Sequence, residues 1–317
     1  MSRPPLLVLG VSRSGTTLLR VVLDRSPGLA IPDESFFVPL LARRHGHRVS
    51  RKAFVDDLRR LPTLAAWGLA ADDVAPRIVD GMATGAAIAA IFEAYAERQG
   101  KPRWGDKTPM YMRHLSLLER LFPGAQYVHL IRDGRDAATS FLQMPAGTYT
   151  RTWAHPDTPV EFACLWRTEI TAARALGRRI GRERYLEVRY EDFVSEPERV
   201  VQAICSFADV EFEPEMLDYA GSVDVAAKPH QQRLLQAPTA RVRDWRTEMA
   251  AEDVRRFEKV AGDVLASSGY DLTTNAARPA LTARLRLLRY RALLGAWNVA
   301  AAAVQRSPLW RRRHPAI

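Results

Sequence analysis

"LLVLGVSRSGTTLLRVVLD", residues 6–24, frames the reading of the whole chain. Leu6 to Leu9 form a short apolar run closed by Gly10, the composition of a short buried strand. From Thr16 onward, Leu18, Leu19, Val22 and Leu23 recur at helical spacing. A glycine loop therefore joins a strand to a helix, the context of loops that cradle phosphate and read G-x-x-x-x-G-K-[ST]. Gly10 and Gly15 keep that spacing and Thr17 fills the hydroxyl slot, but Thr16 stands in the lysine slot and a cation comes earlier, at Arg13. A helix N-terminus offers free N–H groups and about half a positive charge, so it favours an anion. Arg13 adds a forked cation suited to a phosphate or a sulfonate. The missing lysine weakens the case for a magnesium-bound triphosphate.

A second stretch, "HLIRDGRDAATSF" (129–141), repeats the strand-to-helix pattern. It sets Arg132 at a strand's carboxyl end and Ser140 two turns into the next helix, where α/β sheets bind ligands. A guanidinium and a hydroxyl there suit a second phosphate; alternatively, Arg132, Asp133, Arg135 and Asp136 form a local ion-pair cluster. Short extended segments are also expected at "RWGDKTP" (103–109) and "RYLEVRYEDF" (184–193). Helices are expected through 50–100, at 110–122, at 160–181, near 197–208 and near 251–268, with an irregular stretch at 221–244. Strands alternating with helices predict an α/β fold: a single phosphate-loop domain with a mainly parallel central sheet flanked by helices. We take 1–275 as one domain and 276–317 as a basic amphipathic tail. At 317 residues, 47% hydrophobic and 26% charged, the chain is long enough and apolar enough for a full core.

Taken together, "SRSGTTLLR" and "IRDGRDAATSF", about 115 residues apart, resemble the sulfotransferases that use 3′-phosphoadenosine 5′-phosphosulfate. "LDRSPGLAIPDES", "WGDKTPMY" and "RYLEVRYEDF" are similar to the branch containing the tyrosylprotein sulfotransferases. The resemblance spans roughly residues 5–272. It implies that Arg13, Ser14, Gly15, Thr16 and Thr17 bind the 5′-phosphosulfate, that Arg132 and Ser140 bind the 3′-phosphate, and that Tyr190 lies on the nucleotide. It implies Lys107 as the group stabilising the transition state, together with Arg13, and Glu34 as the catalytic base. Phe36 and Phe37 supply an apolar setting for that base, and Asp33 is the neighbouring acid. His114 and His129 are rival bases, because other branches use histidine. Two positions depart from the branch. Met144 stands where it has an arginine, and no serine aligns with its sulfonate-assisting serine; His230, Gln231 and Gln232 are the residues available in its place. The resemblance implies the donor as co-substrate, 3′-phosphoadenosine 5′-phosphate as product, no metal, and a hydroxyl-bearing acceptor: a peptide tyrosine, a carbohydrate, a lipid or a small alcohol. The loop 145–159 and residues 36–70 are expected to shape the acceptor site. The other readings are a phosphate-loop nucleotide kinase or triphosphatase and a catalytically silent nucleotide-binding protein.

The net charge of +10 sits at one end. From Arg278 onward there are nine arginines and no acid, which leaves 37 basic and 36 acidic side chains in residues 1–277. Charge arguments about partners thus concern the tail, and nucleic acid is not expected as a partner. Leu281, Leu285, Leu288 and Ala292 make one helical stripe among those arginines. It fits packing on the chain's own domain or a homodimer partner, or peripheral contact with an anionic membrane together with Trp297 and Trp310. The two isolated cysteines, Cys164 and Cys205, read as buried thiols, and the chain reads as cytoplasmic.

Overall fold

Alternate residues of the first strand, β1 (Leu6–Leu9), enter different cores: Leu7 and Leu9 on one side, Leu6 and Val8 on the other. Strand side chains point to opposite faces in turn, so a continuous apolar run marks a strand covered on both. The computed structural model describes residues 3–145, 152–219, 244–274 and 281–306. Within them, β1 pairs with β2 (Gly105–Asp106) and β3 (Gln126–Ile131), and β3 pairs with β4 (Tyr185–Arg189), all parallel, in the order β2-β1-β3-β4.

In chain order the helices are α1 (Thr16–Asp24), α2 (Val38–His45), α3 (Arg51–Leu58), α4 (Pro62–Ala66), α5 (Ala71–Val74), α6 (Thr84–Arg98) and α7 (Leu115–Leu121). There follow α8 (Gly134–Leu142), α9 (Pro159–Ile180), α10 (Tyr190–Ser195), α11 (Pro197–Ala208), α12 (Trp245–Glu248), α13 (Ala251–Ser267) and α14 (Leu281–Arg306). The Leu6/Val8 face is covered by Leu19 and Val22 of α1, Phe193 of α10 and Val201 and Ile204 of α11. The other helices cover the Leu7/Leu9 face, with Phe37, Trp67, Phe92 and Trp104 forming an aromatic cluster in that core.

From β1 the chain runs out to β2 on one side, then returns to lay β3 on the other side of β1. The crevice outside the carboxyl ends of β1 and β3 is therefore the switch point at which open α/β sheets bind ligands. The predicted parallel α/β architecture is the one observed.

Two local expectations change. The stretch 184–193 is not one strand: it ends at Arg189, and α10 starts at Tyr190 with Glu191 and Asp192 in its first turn. Acids there favour the helix dipole, which outweighs the strand preference of the aromatics. In α14 the stripe Leu281, Leu285 and Leu288 is exposed; the helix packs against α9 and α13 through Ala283, Leu287 and Tyr290. The expected irregular stretch 221–244 lies outside the described residues except for Asp244, whose side chain accepts from Arg246 N and caps α12.

Candidate active site

Each strand delivers one part of the site at its carboxyl end. After β1 comes the loop 10–15. Gly15 sits at φ +87°, the left-handed region, and a Cβ there would collide with the Tyr190 ring. Gly10 lies so close to Thr16 and to the Leu130 carbonyl that a Cβ would fall 2.9 Å from that oxygen. Arg13 also has a positive φ, 73°, a conformation that costs a non-glycine residue about 1–3 kcal/mol. The strained turn brings the Arg13 side chain across to α8, where its Nε donates to Ser140 Oγ at 3.1 Å. Helix α1 opens at Gly15 with no side-chain cap and no acid in its first turn, so its free N–H groups face the loop. The Ser14 hydroxyl is fully buried and has no hydrogen-bond partner.

After β3 comes Arg132, which donates from Nη1 to the Arg13 carbonyl at 3.2 Å and lies over the Tyr190 ring, 4.7 Å from its centroid. Its Nε is buried and unpartnered. Tyr190, the first residue after β4, thus packs between the glycine loop and this guanidinium. The ion-pair cluster read at 132–136 forms without Arg132. Arg135 is the member that pairs, through Asp133 and the distant Glu258, beneath the Trp245 ring. Asp133 also caps α8 by accepting from Arg135 N. Arg13, Arg132 and Ser140 consequently converge on the switch point, and the buried Ser14 hydroxyl and Arg132 Nε are donors left over for an anion.

After β2 comes Lys107, 1% exposed. Its Nζ donates to Thr17 Oγ1 at 3.1 Å and to the Glu34 carboxylate. The cation missing from the loop is therefore supplied from the neighbouring strand. Burial pushes the ammonium pKa down, and the Glu34 charge opposes that shift. Glu34 reaches this point because the segment after α1 runs beside β2. There Ala30 N donates to the Arg103 carbonyl at 2.8 Å, and Gly105 N donates to the Ala30 carbonyl at 2.8 Å. Asp33 turns instead to Arg20, at 3.2 Å. Of the two aromatics expected around Glu34, Phe37 is buried, whereas Phe36 is 50% exposed at φ 54°.

Of the two rival histidines, His129 is engaged within the core. His129 is fully buried in β3, its Nδ1 is 2.6 Å from the Tyr185 hydroxyl, and burial pushes its pKa down to about 4. His114 is half-buried at the start of α7, where burial and the nearby Arg43 and Arg113 push its pKa down to about 4. Met144 lies just past α8. His230, Gln231 and Gln232 lie outside the described residues, as does 146–151 of the expected acceptor loop. Among the described residues no group of three His, Cys, Asp or Glu side chains is arranged to hold a metal. Both cysteines are buried and free.

The sequence reading missed the scaffold behind Lys107 and Glu34. Ser35 N donates to Thr108 Oγ1 at 3.0 Å, and Thr108 Oγ1 donates to Asp106 Oδ1 at 3.2 Å. The Tyr111 hydroxyl lies 2.7 Å from Ser35 Oγ and accepts from Val38 N at 3.0 Å. Asp106 is completely buried, and its carboxyl is pushed up to about 7, chiefly by burial. The available signal was the density of polar side chains in "GDKTPMY", directly after the core residue Trp104.

Residues 4–214 match the family described as Sulfotransferase family, and the chain belongs to that family. It is 28% identical over 219 residues to protein-tyrosine sulfotransferase 2 of Gallus gallus, an alignment covering 68% of this chain and 54% of that protein. It is also 28% identical over 309 residues to nodulation protein NoeE of Sinorhizobium fredii, covering 86% of this chain and 67% of that protein. The chain spans about half the length of the Gallus gallus and Caenorhabditis elegans tyrosine sulfotransferases that it matches. Among solved structures, the sulfotransferase domain of the Synechococcus PCC 7002 olefin synthase aligns with a TM-score of 0.56 and 26% identity. That alignment covers 86% of this chain and 97% of the domain. The sulfotransferase domain of the curacin biosynthetic pathway shares the fold at the same TM-score, with 24% identity, covering 86% of this chain and 100% of that domain.

Proposed function

We propose that this chain transfers the sulfonate group of 3′-phosphoadenosine 5′-phosphosulfate to a hydroxyl acceptor by in-line displacement. The observation that carries the reading is the convergence, at one switch point, of the Arg13/Ser14 loop, the Arg132/Ser140 corner and the buried Lys107 paired with the partly exposed Glu34. Arg13, Ser14, Gly15, Thr16 and Thr17 bind the 5′ end of the donor with the free N–H groups of α1. Arg132 and Ser140 bind the 3′-phosphate, and Tyr190 supports the nucleotide. The unpartnered Ser14 hydroxyl and Arg132 Nε fit such a ligand, because each needs an acceptor oxygen.

The donor supplies an activated sulfonate; the acceptor oxygen bonds to sulfur as the sulfur–oxygen bond to the phosphate breaks. Negative charge grows on that bridging oxygen, as in phosphoryl transfer. The buried Lys107 and the partly buried Arg13 are fixed cations that stabilise it. The acceptor proton goes to Glu34. A carboxylate is a weaker base than the tyrosinate it would help to form, so it works in concert with attack rather than before it. In the free chain Lys107 and Glu34 are partners; binding replaces that pairing with contacts to the reacting groups. Fixed cations fill the role that a metal has in other phosphate loops. A kinase or triphosphatase fits less well, since the loop cation is replaced by Thr16.

A peptide tyrosine heads the candidate acceptors, because the carboxylate Glu34 lies beside the transfer point and relatives are named protein-tyrosine sulfotransferases. The test is transfer of labelled sulfonate to a panel of tyrosine peptides, carbohydrates, lipid alcohols and phenols. We expect a labelled product in at least one arm and its loss in Lys107→Ala. A protein that binds the nucleotide but labels nothing, and releases no 3′-phosphoadenosine 5′-phosphate even to water, is the silent binder.

A further inference from the structure

Helix α14 carries two apolar faces, and among the described residues only one is used by the fold. Ala283, Leu287 and Tyr290 are buried against α9 and α13, and Leu294 continues that face partly buried. On the opposite side, Leu281, Leu285, Leu288, Ala292, Ala296 and Val299 recur at steps of four and three residues, so they line up along one side of the helix. All six are exposed: Leu281 by 73%, Leu285 by 58%, Leu288 by 62% and Val299 by 73%. Arg284 and Arg291 border this stripe on one side, Arg289 and Arg286 on the other, and all four are exposed. Residues 281–306 contain no Asp or Glu.

We propose that this outer face of α14 docks the protein on an anionic lipid surface. An apolar stripe between two rows of arginines matches the layering of a bilayer boundary. The leucines enter the acyl region while the guanidiniums extend sideways to lipid phosphates. The helix, about 39 Å long at 1.5 Å per residue, lies along the surface. No helix among the described residues is long and apolar enough to cross a membrane, so the contact is peripheral. Charge decides against a second copy as the occupant. Stripe-to-stripe pairing of two such helices would set arginine rows against arginine rows, with no carboxylate in either helix to offset them. An anionic surface is complementary to the same rows. Because the buried face already fixes α14 to the body, the outer face is held ready and docking costs little ordering. This inference does not depend on the reading of the nucleotide site.

The experiment is flotation of the full chain with vesicles of phosphatidylcholine alone, or of phosphatidylcholine with phosphatidylglycerol, at low and high salt. We expect flotation only with the anionic vesicles, weakened by salt. Leu285→Gln combined with Leu288→Gln should abolish it, and Arg284→Gln combined with Arg289→Gln should weaken it by about fivefold per arginine. Thermal unfolding of both variants should match the parent, because every substituted side chain is exposed. The proposal is overturned if the parent does not float with anionic vesicles, or if the leucine variant still does. It is equally overturned if light scattering finds a dimer that the leucine variant dissolves, since a second copy would then cover the face.

Discussion

At Gly15 two constraints act together: a φ of +87° and the Tyr190 ring lying where a Cβ would stand. Gly15→Ala should therefore destabilise the chain by at least about 1 kcal/mol and abolish binding of 3′-phosphoadenosine 5′-phosphate. Adding Tyr190→Ala would clear the space but leave the backbone strain, so the double variant should recover stability only in part. Full recovery in thermal unfolding would show that the ring alone demands the glycine. Lys107 poses a different test. Its ammonium is buried beside Thr17 and Glu34, positioned for charge that appears only during transfer. Lys107→Ala should lower turnover by about 10²–10³ with a smaller change in KM. Steady-state kinetics in which KM alone rises would make Lys107 a ground-state binding group instead.

Behind those residues, two segments are clamped together: 33–38, leading into α2, and 105–111, leading out of β2. The Tyr111 hydroxyl is shared by Ser35 and Val38 N, both buried. Tyr111→Phe leaves Val38 N without its acceptor at a cost of about 1–3 kcal/mol, while Ser35 Oγ keeps Thr108 Oγ1 at 3.3 Å, and turnover should fall because Glu34 loses its support. Unchanged turnover would detach the clamp from catalysis. Asp106 in the same network has a readout in pH. Its carboxyl is pushed from an ordinary 3.8 up to about 7, so the folded chain keeps a proton that the unfolded chain releases across that range. Its stabilising contribution is full below about pH 4 and is lost as pH rises through 7. Asp106→Asn should therefore gain thermal stability relative to the parent as pH rises from 4 to 7; a constant difference would contradict the shift.

These elements also show where the sequence is readable. The glycine loop and the stretch carrying Arg132 and Ser140 were legible because each is a local strand-to-helix unit. Lys107 and Glu34 were named only through resemblance and their pairing was not foreseen, since it joins residues 73 apart whose meeting depends on sheet order. The clamp was not foreseen, because nothing local links Ser35 to Tyr111. The alternative reading of 132–136 was a local ion-pair cluster; besides Asp133, Arg135 pairs with the buried Glu258, 123 residues away.

For the molecule as a whole, sheet order makes one site of four separate strand ends, while α14, residues 281–306 of the tail, packs on α9 and α13. The tail's stripe was visible in the sequence, but periodicity cannot tell a helix with two apolar faces which one the body will cover. Burial of Leu287 contributes roughly 1.5–3 kcal/mol, and Ala283, Leu293 and Leu294 extend the same packed face. Truncation after residue 280 should thus lower Tm by at least about 5 °C; an unchanged Tm would make 276–317 a dispensable appendage.

The most direct test of the central claim is thermal unfolding with 3′-phosphoadenosine 5′-phosphate, set beside adenosine 5′-phosphate and magnesium-ATP. Ligand at ~100 times its Kd stabilises a protein by about 2.7 kcal/mol, a shift of several degrees. The account predicts that shift with the 3′-phosphorylated nucleotide alone, and its loss when Arg132 is replaced by alanine. A shift with magnesium-ATP alone would contradict it and return the glycine loop to the triphosphatases.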